Sequence, residues 1–301
     1  MNGENRDRSY LIGEAAMTAR PLEPALYPVA TPIGNLGDIT LRALETLAAV
    51  DILACEDTRV TRVLLDRYGI RQRPIAYHEH NEAEAGPRLI AALKEGRSVA
   101  LVSDAGTPLV SDPGYRLVAA ALEEGIRVVP IPGASSVLAA LTLSGLPSDS
   151  FLFAGFLPVK DGQRRSRLES LRNVPATLIF FESPRRLAAS LAAMADTLGA
   201  KRPAAVTREL TKTFEERRAG TLDELAVHYT DAGAPKGEVV ICVGPPLPEA
   251  AEAVDIDRLL LSLAGEMPAS RAAAEAARMT GEGKPALYRR LLELKGRSGG
   301  G

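Results

Sequence analysis

Four stretches rich in Gly, Pro, Ser and Asp carry the residue types suited to holding a small polar ligand: Ala30-Thr-Pro-Ile-Gly-Asn-Leu-Gly-Asp38, Ser103-Asp-Ala-Gly-Thr-Pro108, Pro130-Ile-Pro-Gly-Ala-Ser-Ser136 and Phe180-Phe-Glu-Ser-Pro-Arg-Arg186. Their chemistry is that of exposed main chain. Gly34 and Gly37 let backbone approach a ligand closely, and the free amides at the start of a following helix suit an anion or a nucleoside. Asp38 is placed to cap a helix beginning near residue 39, and Ser135 one over residues 137–143. Asp104 suits a ribose or an amine as hydrogen-bond partner, or else caps its own turn. The first loop is not Gly-x-Gly-x-x-Gly, so the dinucleotide fingerprint is absent.

Few groups near these loops could take a proton. His78 and His80 lie in Tyr77-His-Glu-His-Asn81, and histidine titrates near neutral pH; their alternative is a solvated loop or a dimer contact. Glu56 and Asp57 stand beside Arg59 and Arg62, as proton acceptors or as salt-bridged carboxylates. His228 reads as structural. No further ligand cluster accompanies His78 and His80, so no metal site is expected. The basic clusters Arg164, Arg165, Arg167 and Arg185, Arg186 could neutralise phosphates; for the first, a solvated helix face is the alternative.

Placing such loops together requires strands that end at one edge. Strand-like runs over residues 26–30, 51–55, 74–77, 99–102 and 126–131 alternate with helical stretches over 40–50, 58–68 and 82–95, the βαβ signature of a largely parallel sheet. The wholly apolar Val99-Ala-Leu-Val102 needs no polar face if it is covered on both sides, and Gly106, Pro108, Pro113 and Gly114 stop it. Its loop therefore sits at the carboxyl edge, where open α/β sheets bind small molecules.

A second set of strand-like runs covers residues 151–154, 176–181, 204–207, 214–219 and 237–243, with helices near 164–172, 185–198 and 222–229. The turn Gly145-Leu-Pro-Ser-Asp149 separates the two sets. The expected organisation is an unstructured extension over residues 1–24, α/β domains over 25–147 and 148–247, and a helical segment over 254–296 before a Gly/Ser tail. That segment reads as three short helices, over 256–264, 270–279 and 284–294, a helix-turn-helix module or else a helical cap. Lys284 and Arg289 are among its basic residues, although glutamates offset much of the charge.

Composition narrows the classes. The 301 residues are 46% hydrophobic, enough for more than one core. Aromatics are 4% and Trp is absent, which argues against an aromatic platform for single strands. A formal net charge of -2 leaves any contact with an anionic polymer to local patches. Two distant cysteines, Cys55 and Cys242, make neither a disulfide framework nor a zinc site, and a reducing cytoplasm fits. No apolar run approaches the roughly 20 residues that span a bilayer.

Taken in order, Tyr27-Pro-Val-Ala-Thr-Pro-Ile-Gly-Asn-Leu-Gly-Asp38, Cys55-Glu-Asp-Thr-Arg59, the 103–114 stretch, Pro130-Ile-Pro-Gly-Ala-Ser-Ser136, Phe181-Glu-Ser-Pro-Arg185 and Lys236-Gly-Glu-Val-Val240 resemble the ribosomal RNA small subunit methyltransferase I family, over about residues 26–294. The resemblance implies the tetrapyrrole-methylase-like fold: two α/β domains with a cofactor cleft between them, as a cytoplasmic homodimer. It implies S-adenosylmethionine as cofactor and the ribose 2′-hydroxyl of a decoding-region cytidine in 16S rRNA as methyl acceptor, within the small ribosomal subunit. Cofactor contacts would fall on Pro32, Gly34, Asp104, Ala105, Gly106, Thr107, Pro108, Pro132, Gly133, Ala134, Ser135, Glu182, Lys236, Gly237 and Glu238. His80 and Glu56 are then the candidate bases, and Arg164, Arg165, Arg167, Arg185, Arg186, Lys284 and Arg289 the candidate RNA contacts. Rival readings are methylation of a tetrapyrrole-like small molecule or of a protein side chain, and a non-catalytic RNA-binding assembly factor.

Overall fold

The computed structural model describes residues 8–111, 114–247, 256–280 and 282–298. Asp112, Pro113, Gly281, the first seven residues of the expected N-terminal extension, residues 254 and 255 of the expected helical segment and the last three residues of the tail lie outside that set. The chain forms two compact units, Met1–Pro245 and Pro246–Gly301.

Residues 8–24 correct the expectation of an unstructured extension. Strands β1 (Ser9–Ile12) and β2 (Ala15–Thr18) pair antiparallel around Gly13. Tyr10 is buried, the Leu11 amide donates to the Tyr68 carbonyl at 2.8 Å, and Arg8 pairs with Asp51 at 3.0 Å. The segment looks unstructured in sequence because most of its side chains face water; docking of a few apolar groups decides its order.

The first sheet contains β3 (Leu26–Pro28), β4 (Ile52–Cys55), β5 (Ile75–Ala76) and β6 (Val99–Val102), all parallel, in the order β3-β6-β4-β5. Between them run α1 (Leu41–Ala49), α2 (Thr58–Arg67) and α3 (Glu82–Lys94); α4 (Tyr115–Glu123) and α5 (Ser136–Ser144) follow. Alternation within β6 explains why this strand carries no polar residue. Val99 and Leu101 join one cluster with Leu89, Leu93 and Leu117 from α3 and α4. Ala100 and Val102 join the opposite cluster with Leu44, Leu47 and Leu65 from α1 and α2. Residues 126–131, expected as a full strand, make only isolated bridges to β3 and the residue after it, Leu26 with Val128 and Val29 with Ile131; Pro130 has no N–H to extend the ladder.

The second sheet contains β7 (Phe151–Phe156), β8 (Thr177–Glu182), β9 (Pro203–Arg208), β10 (Glu216–Thr221) and β11 (Val239–Val243), in the order β10-β9-β11-β8-β7. Only β7 and β8 are parallel. Helices α6 (Asp161–Glu169), α7 (Leu187–Leu198) and α8 (Leu222–Ala232) cover one face through Leu168, Leu191, Met194 and Leu225. The other face, bearing Ile179, Val240 and Cys242, packs against α5 through Val137, Ala140 and Leu141, and against Ile33 from the first loop. This shared cluster locks the two α/β halves together and brings their strand ends to a common cleft. Both cysteines are free and buried, and burial pushes the Cys242 thiol up to about 12.

The second unit, described by itself, is α9 (Ile256–Glu266), α10 (Ala269–Thr280) and α11 (Lys284–Ser298) around Leu260, Ala272, Ala276, Leu287 and Leu291. Arg290 is paired with Asp257 at 2.6 Å, while Lys284 and Arg289 are exposed. Among the described residues no helix is long and apolar enough to cross a membrane.

Candidate functional site

The cleft of the first unit consists of two chambers that share Ile33, Ala105 and Glu238. The larger, about 390 Å³, is bounded by Ser111, Ser136, Phe156, Phe181, Glu182 and Leu210 among others. The smaller, about 320 Å³, lies between Thr31, Pro32, Gly34, Ser103, Asp104 and the inner face of α2. These volumes fall in the range of small-molecule sites, and the walls are mostly apolar with few polar groups.

Backbone shapes the wall given by the first half. The Thr31 and Gly106 amides each donate to the other residue's carbonyl, at 2.8 and 3.0 Å, tying the loop after β3 to the loop after β6. Gly106 has φ of +81°, and a Cβ there would lie 3.3 Å from the Ile33 methyl. The Thr107 hydroxyl donates to the Ala134 carbonyl at 3.2 Å, which joins the third loop to the second. Ser135 caps α5, its hydroxyl accepting from the Leu138 amide, as expected. Asp38 does not cap α1: Thr40 does so through the Ala43 amide, and Asn35 caps the short turn before it. The chain makes one extra turn before the helix starts, which shifts the cap by two residues.

Side chains dominate the wall given by the second half. Lys212 donates to Glu209 at 2.8 Å and to Glu238 at 3.0 Å. Partial burial works to lower its ammonium, and these two carboxylates overcome that, so its pKa stands raised. Lys212 crosses the cleft to the first loop, because a Cβ at Gly34 would lie 2.5 Å from its Cε. Glu209 and Thr211 hold positive φ, 49° and 66°, without being glycine, a sparsely populated conformation that recurs at ligand sites. Glu182, with a fully buried side chain, accepts from the Ser190 hydroxyl at 2.5 Å and the Ser183 amide at 2.7 Å, and pairs with Arg186 at 3.3 Å.

Of the residues expected to touch a cofactor, Pro32, Gly34, Asp104, Ala105, Glu182, Gly237 and Glu238 line the chambers. Gly106, Thr107 and Ala134 form the seam between the loops, Pro108 is buried, and Gly133 packs on Ala30. Pro132 and Lys236 are exposed and line neither chamber; Lys236 offers only its carbonyl, to Arg208. Lys212, Leu210 and Phe156 escaped the sequence reading, and Phe181 and Ser111 fell within its motifs without being expected as contacts. Glu209 to Lys212 follow β9 just as the other loops follow their strands, but without the Gly and Pro that marked those.

The proton acceptors separate clearly. His80 is exposed and Glu56 half-buried, and none of Glu56, His78 and His80 lines a chamber; Glu56 stands one hydrogen bond behind the chamber wall at Asp104. Glu56 accepts from the Asp104 amide at 3.3 Å, and the Asp104 carboxylate accepts from the Asp57 amide at 2.9 Å. Burial raises the Glu56 carboxyl, with the Asp104 amide opposing and the Asp104 and Glu79 charges adding. Asp57 is taken up by Arg59 at 2.6 Å, which holds it down at about 2. No cluster fit for a metal ion occurs among the described residues.

Two expected RNA contacts are corrected. Arg164 is buried against Asp161 at 2.6 Å, and Arg186 donates inward to the Leu157 and Pro158 carbonyls. Both arginines sit at helix starts where packing draws the stem inward, a direction that residue type does not reveal. Arg165 is exposed but engaged by Asp161 and Asp196, whereas Arg167 and Arg185 are exposed.

Residues 25–226 match the family described as Tetrapyrrole (Corrin/Porphyrin) Methylases, and residues 250–295 match the RsmI C-terminal HTH domain. The chain is 74% identical to ribosomal RNA small subunit methyltransferase I of Mesorhizobium japonicum, over 97% of this chain and 99% of that one. Its namesake in Pseudomonas aeruginosa is 49% identical over 91% and 98%. In fold it is similar to uroporphyrin-III C-methyl transferase from Thermus thermophilus complexed with S-adenyl homocysteine, with a TM-score of 0.51, 21% identity, and coverage of 73% of this chain and 97% of that one.

Proposed function

Because this chain belongs to the ribosomal RNA small subunit methyltransferase I family and uses S-adenosylmethionine, we propose that it methylates the ribose 2′-hydroxyl of a cytidine in the decoding region of 16S rRNA. The observation that carries the reading is the convergence of loops from both halves on Ile33, Ala105 and Glu238, where the two chambers meet.

The residues fit the cofactor. Gly34, Gly106 and Gly237 let Lys212, Ile33 and Glu209 pack directly on backbone at the cleft, apolar walls at Ile33, Leu210 and Val240 suit a purine, and Asp104, Glu182 and Glu238 suit hydroxyls and a cation. When bound, the cofactor supplies a methyl group on a sulfonium, whose departure needs no acid. The chain's own part is therefore positioning, which is worth effective molarities of about 10⁵–10⁸ M when geometry is right. Phe156, Phe181 and Leu210 give the larger chamber an apolar wall. Glu56, its carboxyl raised above the ordinary value by burial and set by the Asp104 amide, takes up the hydroxyl proton, an assistance typically worth about 10²–10⁴-fold. We favour Glu56 over His80 because the Asp104 amide fixes Glu56 behind a chamber-lining residue, whereas His80 is exposed.

By the same family reading the enzyme works as a cytoplasmic homodimer on the small subunit. Incubating unmethylated small subunits with the chain and S-adenosylmethionine, then mapping ribose methylation by mass spectrometry, tests the proposal. One new 2′-O-methylcytidine is expected; a methyl on a base, or none on any RNA, overturns it.

A further inference from the structure

Residues 58–73, Thr-Arg-Val-Thr-Arg-Val-Leu-Leu-Asp-Arg-Tyr-Gly-Ile-Arg-Gln-Arg, hold five arginines and one carboxylate in a chain whose formal net charge is -2. This short basic run thus contrasts in sign with the protein as a whole. It is helix α2 and the turn that follows it.

The faces of α2 explain what that charge is near. Val60, Thr61, Val63 and Leu64 line the smaller chamber. One turn further on, Arg67 and Tyr68 line a hollow whose other walls include Gly34 and Lys212, so the hollow opens beside the chamber. On the opposite face of the helix, Arg62 and Asp66, with Arg71 and Arg73 of the turn, border another hollow against the N-terminal hairpin at Ser9 and Leu11. Cleft and basic turn are therefore connected along one helix of ten residues.

The charges are available at the surface. Arg62 gives one N–H to the Gln72 carbonyl at 3.1 Å, and its side chain is exposed. Arg67 and Arg73 are exposed, and no ion pair engages either among the described residues. Opposing carboxylates are few: Asp66 faces the outer hollow, and Asp57 is occupied by Arg59. At the cleft rim Val60 and Val63 are 43% and 60% exposed, an apolar step between the arginines and the chamber.

We propose that α2 and its following turn form the track that leads single-stranded RNA into the cleft, with Arg62, Arg67 and Arg73 on its phosphates and Val60 and Val63 under the sugar and base next to the target. The track rests on the reading of the chain as an rRNA methyltransferase. An acidic protein would be drawn by the same charge, but RNA alone must continue from the turn into the chamber, which is the path this helix draws.

The test uses the full chain with S-adenosylhomocysteine, a fluorescent single-stranded RNA from the methylated region, and small subunits for turnover. Arg67→Gln with Arg73→Gln is expected to raise the KM for subunits about tenfold, leave kcat and cofactor affinity unchanged, and lower the salt slope of RNA binding by roughly 0.7 for each phosphate left without its arginine. Lysine at both positions should restore the slope. The pair Arg88→Gln and Arg97→Gln makes the same charge change elsewhere and should alter neither quantity. A wild-type slope and KM in the first pair, or an equal effect from the control pair, overturns the track and leaves the methyltransferase reading intact. A wild-type chain that neither binds nor methylates the RNA overturns both.

Discussion

In the first sheet all strands run parallel and their loops leave the carboxyl edge carrying Gly and Pro; in the second, four of five strands pair antiparallel with a neighbour and the cleft receives Lys212, Glu238 and Glu182, with Glu209 holding Lys212. The first half thus contributes main-chain amides and carbonyls held by the Thr31 and Gly106 exchange, and the second contributes charged groups held by one another. Backbone walls tolerate no added atom, whereas a network of side chains tolerates replacement if its charge balance survives. The contrast teaches which kind of substitution each half will resist.

The largest expected effect is on chemistry. Glu56→Gln should lower kcat by about 10²–10⁴-fold with cofactor affinity kept, and should flatten the rise of rate with pH that an ionising carboxyl produces. The sign for stability runs opposite to that for rate. A carboxyl whose pKa is raised by folding favours the fold below its ordinary value of 4.5, and that benefit is lost as pH rises through the folded value, so the Gln variant should gain relative stability on the alkaline side. A pH–rate profile indistinguishable from wild type would remove Glu56 from the reaction.

Next comes the backbone wall. Gly106→Val places a branched side chain at φ of +81° and 3.3 Å from Ile33, and calorimetry should show cofactor affinity lower by about 100-fold while the chain still unfolds cooperatively. Retained affinity would mean that the first half is not the cradle. On the other wall, Lys212→Met leaves Glu209 and Glu238 facing each other without their cation. A loss of about tenfold is expected there, partly recovered on acidification, because the carboxyl now held low by Lys212 would take up a proton more readily. Equal losses at Gly106 and Lys212, both insensitive to pH, would erase the distinction between the walls.

Smaller effects mark groups outside the cleft. Arg164→Ala should cost about 1–2 kcal/mol in denaturant unfolding through poorer packing and a broken ion pair, with the salt slope of RNA binding unchanged. His80→Ala should leave the rate within about twofold, as suits an exposed side chain away from the chambers.

How much of this was readable in the residues differs between the halves for a physical reason. Glycine and proline announce turns locally, so the loops at 30–38, 103–108 and 130–136 could be read as binding loops without any tertiary knowledge. Lys212 carries no such mark: it reaches the cleft because Glu209 and Thr211 take left-handed conformations that their residue types do not advertise. The hairpin at 9–18 escaped for a related reason, since its order depends on Tyr10 finding the first core.

Local chemistry alone determined the alternation of strands and helices, the apolar β6, the cap at Ser135 and the loops that end the first sheet's strands, because each depends on neighbours within a few residues. Tertiary structure decided the antiparallel pairing of the second sheet, the inward turn of Arg164 and Arg186, the burial of Glu56 against the Asp104 amide, and the meeting of the first loop with Lys212. All of these turn on which distant surfaces bury each other, and burial is a property of the folded whole.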